Sequence, residues 1–294
     1  MGSRDGAQAA RPKGASGLVA RLRSSELADL VLPRECGGCL RPGSDWCLRC
    51  ERALGQLAFV APALGAPAFG ASAFGASALG LASRAGSGCS ARAEPAGAGG
   101  GGPWVVPHPA PTDMPPVYAW GVYADPLRAV VSAWKDAGRR DLLAVLVPLL
   151  AEALHGALTG SGWHEGVAVV VPAPSSRRSV RQRGDTPMVR LCEAAVAALP
   201  AGPGPVLRVA PALRHVRRVE DQSGLGTAER RGNLGGALDV DPLWSNVIRG
   251  RRCLLVDDVV TTGATLAEAS RALWAAGAHE IVGASMAATQ RTRG

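Results

Sequence analysis

Residues 254–266 read "LLVDDVVTTGATL", and the reading of this stretch decides the fold. Cys253, Leu254, Leu255 and Val256 make a short apolar run of the kind a buried parallel strand shows, and Val259 and Val260 continue its β-branched character. The strand is expected to end near Asp257 and Asp258. From Ala264 onward, Leu266, Ala269, Ser270, Leu273 and Trp274 recur at helical spacing, and Gly277 is a good stop. The unit is therefore strand, tight loop, helix. A loop of small residues at a helix N-terminus presents backbone N–H groups to an anion, and the helix dipole adds positive potential there. The hydroxyls of Thr261, Thr262 and Thr265 add donors, and Gly263 lets the backbone approach a ligand closely. This is the pattern of a phosphate cradle.

The acid pair needs its own reason. Two carboxylates about 4 Å apart repel by roughly 4 kcal/mol at an effective dielectric of 20. Neighbouring strand residues also point to opposite faces, so a pair placed where the strand unwinds can fan out beneath one ligand. Acids beside a phosphate cradle suggest a sugar phosphate. The plainer alternative is that Asp257 and Asp258 cap the following helix, for which one acid would suffice.

"VDDVVTTGAT" resembles the phosphoribosyl-pyrophosphate loop of type I phosphoribosyltransferases, and more of the chain resembles their ComF, competence-protein-like branch. The resemblance implies that Asp257 and Asp258 bind the ribose 2- and 3-hydroxyls. It also implies that the turn from Val259 through Val260, Thr261, Thr262, Gly263 and Ala264 to Thr265 holds the 5-phosphate.

The chain has 294 residues, enough for one ordinary domain and smaller pieces. A net charge of +8 favours anionic partners without choosing between nucleic acid and pyrophosphate-bearing metabolites. The longest clean apolar run, residues 142–151, is short for a membrane span and contains Pro148, so no membrane insertion is expected. The N-terminus lacks the apolar core of a secretory signal and fits no acylation motif well, so a cytoplasmic protein is expected.

Four of the seven cysteines fall in "CGGCLRPGSDWCLRC": Cys36, Cys39, Cys47 and Cys50. Two C-x2-C knuckles suit one tetrahedral zinc, with Gly37, Gly38, Pro42 and Gly43 supplying turns. Four thiolates leave no open position for water, so such a zinc is structural. A redox pair is the other reading. Cys89, Cys192 and Cys253 stand alone. Ahead of the knuckles, Leu18, Leu22, Leu27, Leu30 and Val31 fall roughly on one face of a short helix, and ComF-like chains commonly begin with such a helix and a four-cysteine module.

The expected organisation is a disordered N-terminus over residues 1–16, helix and zinc module over 17–54, a disordered linker over 55–116, and a phosphoribosyltransferase-like domain over 117–294. The linker is rich in Ala, Gly, Pro and Ser with the repeat "GAPAF", "GASAF", "GASAL", too small-chained to offset backbone entropy. It reads as a spacer, with an interaction tract as the alternative, and it departs from the family pattern. From Val117, strands at "VYAWGVY", "VAVVVP", residues 206–213, residues 252–257 and "EIVGASMAAT" alternate with helices. That order implies an α/β fold, a parallel sheet with helices on both faces and ligands beyond the C-terminal strand ends.

The loop "PAPSSRRSVRQRG" follows one buried strand and is the candidate pyrophosphate loop, with Ser175, Ser176, Arg177, Arg178, Arg181, Arg183 and Gly184. ComF-like chains resemble it in Pro-x-Pro and Arg-Gly, but Asp185, Thr186 and Pro187 replace the usual aromatic and Asn-Gln. A solvated basic loop is the alternative. The segment holding Gln222, Glu229, Arg230 and Asn233 resembles the family's mobile hood, which would exclude water from a reactive sugar cation. Lys135 in "AWKDAG" matches a family lysine placed near the phosphates, and by sequence alone it is equally a helix-end lysine stabilised by the dipole. The histidines show no metal spacing.

The resemblance implies an enzyme that binds phosphoribosyl pyrophosphate with Mg²⁺ and transfers the 5-phosphoribosyl group to a nitrogen nucleophile, a reaction of nucleoside metabolism. No residue is singled out as the catalyst, and the acceptor is not legible. An alternative is a non-catalytic competence factor for DNA uptake that binds single-stranded DNA or competence machinery and uses the site to sense a ligand. A structural zinc scaffold leaves the phosphate cradle unexplained. An oligomer is compatible with either function.

Overall fold

The computed structural model describes residues 34–59, 104–105, 111, 113–174, 186–202, 204–216 and 236–289. The helix expected around Leu18–Val31, most of the Ala/Gly/Pro/Ser-rich tract, Ser175 to Gly184 and the hood with Gln222, Glu229, Arg230 and Asn233 lie outside the described residues.

The central sheet has six strands: β1 (Trp104–Val105), β2 (Val117–Val122), β3 (Val167–Pro172), β4 (Val206–Val209), β7 (Arg252–Val260) and β8 (Glu280–Ala288). Their order is β1-β2-β8-β7-β3-β4, and every neighbouring pair is parallel except β1 with β2. A second sheet pairs β5 (Leu213–His215) with β6 (Leu238–Val240), antiparallel. The helices are α1 (Leu48–Gly55), α2 (Leu127–Lys135), α3 (Leu143–Gly160), α4 (Pro187–Ala197), α5 (Ser245–Ile248) and α6 (Ala264–Ala275).

Burial on both faces explains why β7 and β3 are apolar runs rather than alternating ones. Leu254 and Val256 face α2, α3 and α4 on one side, while Cys253 and Leu255 face Leu266, Ala269 and Leu273 of α6 on the other. Each fully buried leucine contributes roughly 1.5–3 kcal/mol by leaving water. The α/β class, the parallel core and the helices on both faces are as the sequence pattern requires.

Three elements differ from the expectation. The single strand expected over residues 206–213 is two, β4 and β5, belonging to different sheets. Pro211 has no N–H to continue a ladder, and the chain turns there after Ala210 bonds to Val170. The apolar run over residues 142–151, expected to be too short for a span, is part of a longer apolar helix, α3, which ends at Gly160 and carries Pro148 inside it. With its preceding 3-10 turn it is long and apolar enough to cross a membrane, the one such helix among the described residues, but it packs on β2, β8 and α4. Its apolar composition therefore serves the core.

The third difference concerns the region expected to be linker over 55–116. Ala58 bridges Gly121, with Phe59 N–H donating to Trp120 O and Val122 N–H to Leu57 O at 3.0 and 2.9 Å. Trp104 then pairs with Tyr118 and Val105 with Val117. Residues 58 and 59 thus lie beside 121 and 120, and residues 104 and 105 beside 118 and 117, in one antiparallel register along β2. Residues 57–59 and 104–105 act as two halves of one edge strand on either side of Ala119. Trp104 is held there edge-on to Tyr118, with ring centroids 6.0 Å apart.

Candidate functional site

The C-terminal ends of β2, β8 and β7 finish level with one another, since Val122 and Val260 both pair with Ala288. Beyond that edge lie the acid pair, the turn into α6 and the end of α2. Ala173, just past β3, donates its N–H to Val256 O at 2.7 Å, so the start of the arginine-rich loop is also brought beside Asp257.

β7 does not stop at the acids, as the sequence suggested, but continues to Val260. Val259 and Val260 are therefore strand residues, and the turn proper is Thr261 to Gly263, with Ala264 opening α6. The β-branched pair has a long partner in β8 and stays paired with Ala287 and Ala288. Yet the strand is irregular where the acids sit. Pairing skips Asp258, and the face that takes Leu254 and Val256 next takes Val259 rather than Val260. The acid side chains substitute for the missing ladder: Asp257 Oδ1 accepts from Asp258 N–H and Asp258 Oδ1 from Val259 N–H, each at 2.9 Å. Ser285 Oγ donates to Asp258 O at 3.1 Å. The strand thus unwinds locally at the acids without ending, which is the distortion a fanned pair needs.

Asp258 is buried and forms an ion pair with Lys135 Nζ, the last residue of α2. Lys135 ends a helix, as one of its two readings has it, and its side chain also reaches the acid pair. Burial alone would lower the lysine's pKa, but the charges of Asp258 and Asp257 overcome this and raise it. Burial first, and then the charge of Asp258, push Asp257 up to about 7, with Lys135 pulling the other way. Tyr123 lies in the same electrostatic neighbourhood; burial and Asp258 both raise its pKa. A lysine, two acids and a phenol converge where the sequence indicated the acids and left Lys135 open. A compositional signal could have given it more weight: of 32 basic residues only Lys13 and Lys135 are lysines.

Gly263 takes φ +73° as the N-cap of α6, a conformation with no cost for glycine. Thr262 Oγ1 accepts from Ala264 N–H at 3.4 Å, and Thr289 Oγ1 donates to Thr261 O at 3.3 Å, so the turn is tied to β8 from behind. Thr261, Thr262, Gly263, Ala264 and Thr265 thus form a small-residue turn at the N-terminus of a 12-residue helix.

On α6, Glu268 accepts from Leu238 N–H at 3.0 Å while Arg271 donates to Leu238 O at 2.7 Å and to both carboxylate oxygens of Glu268. This clamp fixes β6, where the chain re-enters from residues 217–235. Burial opposes the ionised form of Glu268, but Arg271 and the backbone N–H donors prevail and hold its pKa below the usual glutamate range.

The second site is the cysteine module. The Sγ atoms of Cys36, Cys39, Cys47 and Cys50 all lie within 4.8 Å of one another, and Cys39 Sγ and Cys47 Sγ are 3.6 Å apart. Zn–S bonds of about 2.3 Å place tetrahedral sulfurs at about this spacing, so the donor set and its size fit zinc. Cys47 N–H points at Cys36 Sγ at 3.3 Å, as a donor to a thiolate would. The second knuckle is not a free turn: Cys47 is the N-cap of α1 and Cys50 lies in its first turn, where the dipole favours negative sulfur.

β5, β6, the acid pair and the turn lie within residues 211–293, which match the phosphoribosyl transferase domain family. A 69-residue stretch is 41% identical to "Competence protein F" of Haemophilus influenzae, covering 24% of this chain and 30% of that protein. The matched stretch thus spans less than a third of the relative's length. The parallel sheet and the acid pair in its central strand thus belong to a chain whose C-terminal part is similar to the phosphoribosyl transferase domain and, over a shorter stretch, to Competence protein F.

Proposed function

We propose that the chain binds phosphoribosyl pyrophosphate with Mg²⁺ and transfers the 5-phosphoribosyl group to a nitrogen nucleophile, releasing pyrophosphate. The observation that carries this is the acid pair in a locally unwound strand, followed at once by a Thr-Thr-Gly turn into a helix. In this reading Asp257 and Asp258 accept hydrogen bonds from the ribose 2- and 3-hydroxyls, and residues 261–265 hold the 5-phosphate. Val259 N–H is already bonded to Asp258 and Val260 is buried, so these two serve as the rigid approach to the cradle. Lys135 pairs with Asp258 and would stand beside the sugar phosphate.

Transfer expels pyrophosphate from the sugar C1 while positive charge grows on the ring, so the protein's contribution is positional and electrostatic. Among the described residues the one cluster able to cage a metal is the four cysteines. Magnesium would arrive on the pyrophosphate, keep most of its waters and neutralise the leaving group. Ser175, Ser176, Arg177, Arg178, Arg183 and Gly184 follow β3 and would supply donors to that pyrophosphate, and the hood with Gln222, Glu229, Arg230 and Asn233 would close over it. The zinc of the module is structural in this scheme.

Calorimetric titration with phosphoribosyl pyrophosphate and Mg²⁺ tests the reading. Saturable binding is expected for the zinc-loaded chain, weakened at least about 100-fold when Asp257 and Asp258 are both changed to Asn, the loss of two charge-assisted contacts. No binding by the folded wild-type chain would sink it.

A second reading, a competence factor that holds single-stranded DNA, is favoured by the net charge of +8 and by the printed name of the matched relative. It requires binding that falls steeply with salt.

A further inference from the structure

We propose that the cysteine module is a positioning device for the sugar-phosphate site: it grips α2 near both of its ends and so sets Lys135 on Asp258. The inference rests on the reading of residues 257–265 given above and adds to it a role for a part of the chain remote in sequence. Trp46, Cys36, Cys50 and Leu54 share one hydrophobic core with Leu127, Val130, Val131 and Trp134 of α2 and with Leu142. The module is therefore built into the domain.

Two contacts define the grip. At the start of α2, Gly38 lies so close to Pro126 that a Cβ there would stand 3.0 Å from the proline Cβ and 2.8 Å from Cys50 Sγ. Past its end, on the 3-10 turn Arg140–Leu142 that leads into α3, Gly37 packs against Leu142, with a hypothetical Cβ only 2.6 Å from both leucine methyls. Arg139 adds polar ties, donating to Glu35 O at 3.0 Å and pairing with Asp45 at 3.7 Å while Asp141 steadies its guanidinium. Arg140 in turn donates to Trp134 O at 3.2 Å and closes the last turn of α2. Lys135 lies between these holds and makes the ion pair with Asp258. Packed elements transmit such a displacement because interiors are close-packed and deform little. A module that loses its metal or its seat on Leu142 lets α2 shift, and a side chain held by one ion pair follows.

The test uses the full, zinc-loaded chain. Lys135 and Lys13 are its two lysines, so acylation by an N-hydroxysuccinimide ester, read by mass spectrometry, reports Lys135 directly with Lys13 as reference. Gly37→Val wedges the module from Leu142, and Arg139→Gln removes the polar ties without adding bulk, which keeps the test open if the first variant folds poorly. Each is expected to keep its zinc, to acylate Lys135 about tenfold faster and to bind phosphoribosyl pyrophosphate with Mg²⁺ about tenfold more weakly, the scale of one charge-assisted hydrogen bond. Adding Leu142→Ala to Gly37→Val is expected to restore both readouts. Unchanged Lys135 reactivity in both variants overturns the proposal, whatever the affinities. Faster acylation in a chain whose wild type binds no phosphoribosyl pyrophosphate would uphold the positioning and overturn the sugar-phosphate reading.

Discussion

The cysteine module and the parallel sheet meet at α2 but are held together by different forces. Described residues 34–55 contain one short helix and an isolated bridge between Glu35 and Pro42, too little to bury a core of their own. Their order depends on four sulfurs brought within 4.8 Å and on a seat against α2. The sheet is the reverse case, a layered apolar core whose central strands are buried on both faces. The difference teaches where each is fragile: the module through any one ligand, the sheet only where it departs from its own apolar rule. That departure is the acid pair.

The largest effect should come from the module. Cys50→Ser removes one of the four cysteines that would hold zinc, and metal-linked folding free energy on the order of 10 kcal/mol would go with it. Metal analysis should show zinc lost, and trypsin should cut after Arg49 and Arg52 while the sheet keeps its far-ultraviolet circular dichroism. Retained zinc with an intact, protease-resistant module would erase the contrast between the two regions.

A smaller effect of opposite sign is expected at Asp257. Its pKa in the folded chain lies at about 7 against 3.8 for the free side chain. The folded state therefore holds this proton more tightly than the unfolded one, and the acid costs stability increasingly as the pH rises from 3.8 to about 7. Asp257→Asn should be more stable than wild type by on the order of 1 kcal/mol above that range, and equal to it as the pH falls towards 3.8. Urea denaturation at several pH values reads this, and a variant less stable at pH 8 would show that the acid belongs to the scaffold. The same variant should lose ribose binding, which separates stability from function at one residue.

The smallest effect concerns the tract between the two half-strands. Because residues 58–59 and 104–105 share one register on β2, halving the tract between them by excising residues 71–92 should change stability by only about 0.6 kcal/mol, the loop-closure term for one halving of a long excursion. Melting and zinc content of the shortened chain measure it. A large loss would mean that the tract packs on the domain.

The sequence by itself settled the order of strands and helices along β3, α4, β7, α6 and β8, because burial on both faces leaves continuous apolar runs and amphipathic periods that need no partner to be seen. The four-cysteine cluster and the small-residue turn into α6 were legible for the same reason: each is made by residues close together in the chain. The boundaries at β7 were less legible, since whether Asp257 and Asp258 end a strand depends on how long β8 is beside them. The short pair β5 and β6 escaped notice because each has too few residues to show a period, and α6 fixes β6 through the Glu268–Arg271 clamp. Only the tertiary structure decided three things: that Lys135 faces Asp258, that the module grips α2, and that residues 57–59 and 104–105 form one edge of β2. Each joins residues far apart in the chain, and such contacts are fixed by packing and pairing between elements, which local propensity does not encode.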